Sequence, residues 1–210
     1  MHRTLYLSAA ALAALSLAAC NRPAADTTAA TGSTAAGTAV LEANQPVNAA
    51  QDATGAAVGA VSAATVGAHD TGAFVSNASQ SDMYEIAAAK IAQSRSKNAE
   101  VKAFAKMMAA EHTAMSNEMA PLVKAAGKAP ATELDQRRNG FLDNLKQATD
   151  ANFDKAYIDQ QVNAHEEALT LVKGYADAGD DAGLKAGAAK AAPKVQMHLD
   201  KAKAIQASLK

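Results

Sequence analysis

Beyond residue 70, apolar side chains recur mostly at spacings of three and four, and that period dictates helices. One run is Val101, Phe104, Met108, His112, Met115, Met119 and Leu122. A second is Phe153, Tyr157, Val162, His165, Leu169 and Val172, and a third is Val195, His198, Ala202, Ile205 and Leu209. Residues three or four apart share one helix face, so each run is a stripe that needs covering. No sustained period-two alternation interrupts them, which argues against a sheet. Helix signals divide the region. A first helix starts after Asp70 or Thr71 and runs to about Ser96. Asn98 caps a second, which ends at Gly127 with Pro121 kinking its last turn. A short helix spans Glu133 to about Lys146. A third long helix runs from about Thr149 to Ala178, where Gly179 stops it. Asp180 is the expected cap of the last segment, in which Pro193 marks either a kink or a first turn, ending near Leu209. Short links between the first and second and between the third and fourth long helices favour antiparallel pairs. The expected fold is all-α, an antiparallel four-helix bundle with an extra short helix in the connection between its second and third long helices. Many inward positions are alanine, so helices approach closely but each contact covers little area.

The N-terminal third is different material. Residues 1–19 have a short basic start (His2, Arg3) and an apolar stretch from Leu5 to Ala19, closed by Leu17-Ala18-Ala19-Cys20. This layout is that of a secretory signal, too short to span a bilayer core. The resemblance of that run to a lipobox implies cleavage before Cys20, the only cysteine, and lipid on its thiol. Cys20 is therefore the expected lipidation site and the membrane the expected partner. Asn21, where an aspartate would favour inner-membrane retention, points to the outer membrane and a domain facing the periplasm. Residues 20–70 are mostly Ala, Thr, Gly, Asn and Val, without lysine or aromatic rings, and read as a disordered tether. An Ala-rich helix around 47–68 is the less favoured alternative, because Gly55, Gly59 and Gly67 interrupt it. The folded domain is then 71–210. A net charge of −1 and the lack of a basic run give nucleic-acid binding no support.

Three of the five histidines, His112, His165 and His198, lie on the apolar stripes, where histidine is unusual. Glu85 falls beside Ile86 on the expected inner face of the first helix. Counted from their common end, the four residues fall about 12 to 18 positions in, a spread of roughly 9 Å at ~1.5 Å per residue. Two readings follow. One is a site for a single divalent transition metal, with imidazoles and a carboxylate as ligands. The other is a polar seam in which each histidine bonds a helix carbonyl or a carboxylate such as Glu111, Glu166 or Asp154. The methionines Met107, Met108, Met115, Met119 and Met197 suit adaptable packing better than a soft copper site. Glu166-Glu167 and Asp180-Asp181 read as solvated faces. No Ser-His-Asp spacing, Gly-rich phosphate loop or CxxC is present.

Residues 74–208 resemble an exported helical family known as domain of unknown function 4142. The resemblance rests on Phe74-Val75, Met83-Tyr84-Glu85-Ile86, Val101-Lys102-Ala103-Phe104-Ala105, Glu111-His112, Phe153-Asp154-Lys155-Ala156-Tyr157, the His165 region, Ala192-Pro193 and His198-Leu199. It implies a ferritin-like bundle and no established activity. Di-iron bundles place a glutamate three residues before a histidine. Here those positions hold Ala109, Val162 and Val195, so the dinuclear carboxylate site is missing and its chemistry is not expected. The leading expectation is a lipid-anchored envelope protein with a binding or stress-related role, not an enzyme. Its concrete form is metal held by Glu85, His112, His165 and His198. The alternative is a metal-free module that recognises another envelope protein. A mononuclear redox enzyme is a third reading and needs an open coordination position.

Overall fold

The computed structural model describes the backbone of residues 36–209 and the side chains of 48–209. Its elements are α1 (Ala36–Ala64), a 3₁₀ turn (Val66–Ala68), α2 (Thr71–Arg95), α3 (Ala99–Ala125), α4 (Gln136–Gln147), α5 (Asp150–Ala178) and α6 (Ala182–Ser208). The described residues contain no strand, as the periodicity predicts. None of their helices is long and apolar enough to cross a membrane. The signal segment and Cys20 lie outside the described residues.

Local chemistry sets the helix ends. The side chains of Asp70, Asn98 and Asp135 accept hydrogen bonds from free amides in the first turns of α2, α3 and α4. Past the end of α3, Gly127 takes φ 68°, a left-handed conformation that costs glycine little. Asp181, not Asp180, caps α6 by accepting from the Leu184 amide. Asp180 is drawn instead to the Thr71 hydroxyl and to the Tyr175 hydroxyl at 3.1 Å. Pro193 lies well inside α6, which excludes the first-turn reading. At the other end of the bundle, Arg95 donates to the carbonyls of Leu145, Lys146 and Ala148, satisfying the end of α4, and lies over the Phe153 ring.

Helices α2, α3, α6 and α5 each contact the next in a ring, and α4 lies against α2 and α5. Alanine permits the close approach: Ala88, Ala89, Ala92, Ala105, Ala188 and Ala202 are fully buried. The core has two apolar clusters. One gathers Phe104, Phe141, Leu145, Phe153 and Tyr157. The other gathers Leu171, Leu184, Val195 and the stacked pair Phe74–Tyr175, whose ring centres are 4.0 Å apart. On α5 the buried leucine is Leu171, while Leu169 is half-buried, a shift of two residues from the expected stripe.

The expected tether is not one throughout. Residues 36–64 form α1, and its side-chain-described part packs on the bundle through Asp52, the Gly55 carbonyl and the buried Ala63. Glycine is the physical reason. A Cβ on Gly55 would meet the Phe141 ring at 2.8 Å, and one on Gly59 would meet the Glu167 carboxylate at 2.0 Å. The glycines read from the sequence as helix interruptions instead let its backbone press against two side chains. Asp52 then accepts from Asn144 at 2.6 Å and from Gln160 at 2.6 Å.

Candidate functional site

Between the two apolar clusters lies a polar layer. On α3, His112 follows Met108 of one cluster and precedes Met115 of the other. His165 and His198 occupy the same junction on α5 and α6, and all three rings are essentially excluded from solvent. Their ring centres are 5.4–5.5 Å apart. One ring nitrogen from each lies within 4.8 Å of those of the other two. The helical register therefore brings His198 level with the others despite Pro193.

Each imidazole is tied on one side. His112 Nδ1 pairs with Asp82 Oδ1 at 2.8 Å, His165 Nδ1 with the Gln161 carbonyl at 2.8 Å, and His198 Nε2 with Glu111 Oε2 at 2.7 Å. An acceptor at that position places the N–H there. The remaining nitrogens, His112 Nε2, His165 Nε2 and His198 Nδ1, are buried and have no partner. A tied nitrogen with a carboxylate or carbonyl behind it, and a bare nitrogen in front, is how metal-binding histidines are oriented. The polar seam is therefore one side of these rings, and the other side is left without a partner.

Glu85 stands beside this layer, 3.9 Å from His165 Nδ1, and both its oxygens are buried without a hydrogen-bond partner. Burial raises its carboxyl to about 7, against the pull of His112. Burial, reinforced by the charge of His112, lowers His165 to about 3, so its ring is neutral at pH 7. Burial also lowers His198, more than the Glu111 bond restores. For His112 burial opposes the charge, but the Asp82 bond and the Glu85 carboxylate outweigh it and the value rises. Neutral imidazoles with free lone pairs are the ligand form, which burial favours at His165 and His198, whereas His112 has to lose its proton to bind.

Of the four residues read from the sequence, His112, His165 and His198 come together and Glu85 lies beside them, near the tied Nδ1 of His165; Glu111 is one of the three anticipated supports. Glu166 instead pairs with Lys203 at the surface, and Asp154 has a buried oxygen without a partner. Asp82 was not foreseen, although it lies three residues before Glu85 and so shares its face. Its second oxygen accepts from Ser116 at 2.6 Å. Met197 is exposed and takes no part.

Glu167 corrects the expectation of a solvated face. It is buried and bonds Arg137 through both oxygens at 2.7 Å, and Arg138 at 3.0 Å. Arg138 also bonds Asp135 at 2.6 Å. A carboxylate so paired is a structural clamp between α4 and α5.

The model of the family described as a domain of unknown function (DUF4142) matches residues 56–205. No curated protein matches, and no solved structure does.

Proposed function

The chain belongs to that family, whose description carries no activity, and on that premise we propose that it is a metal-binding protein of the cell envelope. One divalent transition metal is held by His112, His165 and His198, with Glu85 beside them to compensate its charge. The observation that carries this reading is three buried imidazoles with one nitrogen of each within 4.8 Å of the others, each ring tied to an acceptor on one side and bare on the other. Nitrogens about 2.1 Å from a tetrahedral zinc stand about 3.4 Å apart, so side-chain shifts of about 1 Å close the site. We further infer a ferritin-like antiparallel four-helix arrangement of α2, α3, α5 and α6. The lipobox-like run ending at Cys20 supports a lipid anchor, with the domain facing the periplasm and the outer membrane favoured.

The test is metal content by mass spectrometry on the full chain, purified without affinity histidines and offered zinc, copper, iron and nickel in turn. About one ion per chain is expected, and replacing His112, His165 and His198 together abolishes it. A folded chain that takes up no metal, or a triple variant that keeps it, overturns the assignment.

A further inference from the structure

His165 is the odd member of its layer. His112 and His198 are backed by carboxylates, those of Asp82 and Glu111, whereas His165 Nδ1 lies 2.8 Å from the carbonyl of Gln161. That carbonyl is four residues back on α5, so it also accepts the His165 backbone amide in the helix ladder. A free carboxylate stands beside the same nitrogen. Glu85 Oε1 is 3.9 Å from His165 Nδ1, and neither of its oxygens has a partner. Two further buried groups that can donate are also unbonded, the Gln161 carboxamide and the Tyr157 hydroxyl. Burial dominates at Glu85 and at Tyr157, yet both groups feel that carboxylate. The Gln161 carboxamide pulls the Glu85 carboxyl down against burial, and the Glu85 charge adds to burial in pushing the Tyr157 hydroxyl up.

Resting on the metal reading above, we propose that Glu85 is a positioning residue that takes the His165 Nδ1–H over from the Gln161 carbonyl when the layer closes on its ion. The N–H keeps its proton and changes acceptor. The nitrogen that Glu85 approaches is the tied one, which sets the carboxylate behind the ring and not among the ligands. A bond to a carboxylate is roughly twice as strong as one to a neutral carbonyl, and it makes the imidazole a more basic ligand. A charge-assisted bond is about 2.8 Å long, so a movement of about 1 Å from the observed 3.9 Å completes it. Side-chain shifts of that size are also what draws the three bare nitrogens into one coordination sphere. The second oxygen of Glu85 is then left for the donors of Gln161 and Tyr157, so one small movement gives partners to groups that now have none. Each of the three rings would then have a carboxylate behind it.

The test reads the imidazole N–H resonances of the full chain, made with isotope-labelled histidine, with and without zinc. In the zinc-loaded protein Glu85→Gln should move the His165 Nδ1–H proton upfield, the mark of a weaker acceptor, and leave the His112 and His198 signals in place. In the metal-free protein the same substitution should leave the His165 signal where it is, because the Gln161 carbonyl holds that proton. Zinc affinity of Glu85→Gln should fall about tenfold in chelator competition. The cobalt(II) absorption bands should not move, since the ligands are intact. A His165 signal in the loaded protein that ignores the substitution overturns the proposal. So do cobalt bands that change as they do when a ligand is lost, which would put Glu85 on the metal itself. A chain that takes up neither zinc nor cobalt overturns it too, and metal content then marks the metal reading as the part that failed.

Discussion

The Glu167 cluster and the Glu85 layer are both buried, both made of ionisable side chains and both include residues of α5, yet their hydrogen bonding is opposite. Glu167 has a guanidinium on each oxygen, and Arg138 is shared with Asp135. Glu85 has no partner on either oxygen, and three imidazole nitrogens nearby are equally bare. Desolvating such groups costs free energy unless something replaces the lost water. In the first cluster the replacement is protein. In the second no protein group replaces it, and this is the ground on which a metal is proposed there.

The contrast breaks most visibly at Glu167. Glu167→Ala strands Arg138, which is 3 % exposed, and should lower the unfolding free energy by about 3–5 kcal/mol in urea titrations. A loss below about 1 kcal/mol would mean that the cluster is not the clamp described. Asp82→Asn tests the other side. It weakens the orientation of His112 while leaving the three ligands in place, so metal affinity should fall about 10–100-fold in chelator competition. An unchanged affinity would remove Asp82 from the site. The smallest effect should come from Glu85→Gln in the metal-free protein. That carboxylate has no bond to lose, so stability should hold within about 1 kcal/mol or rise. The same Glu→Gln exchange at Glu167 should be clearly destabilising, and equal losses at both positions would erase the distinction.

How much of this was legible depended on distance along the chain. The starts of α2 and α3 could be read because Asp70 and Asn98 act on amides two or three residues away. The histidines could be placed because a stripe position is a local property of one helix. Glu111 was found for the same reason, as the neighbour of His112, although the ring it bonds is His198. The failures involve partners that no local pattern names. Nothing near Gly59 signals that Arg137 and Glu167 are waiting for its backbone, so α1 read as a tether. Glu167 read as solvated because its arginines lie on α4, about 30 residues upstream. Asp181 took the cap expected of Asp180 because Thr71 and Tyr175 claim Asp180 from across the fold.

The histidine layer is also lopsided. Two rings present Nε2 and one presents Nδ1, and their supports are an aspartate, a glutamate and a neutral carbonyl. A cobalt(II) or copper(II) ion seated there has neither a mirror plane nor a threefold axis. Its ligand-field bands should therefore carry circular dichroism in the visible, a handed signal that distinguishes an ion in this layer from one held loosely at the surface.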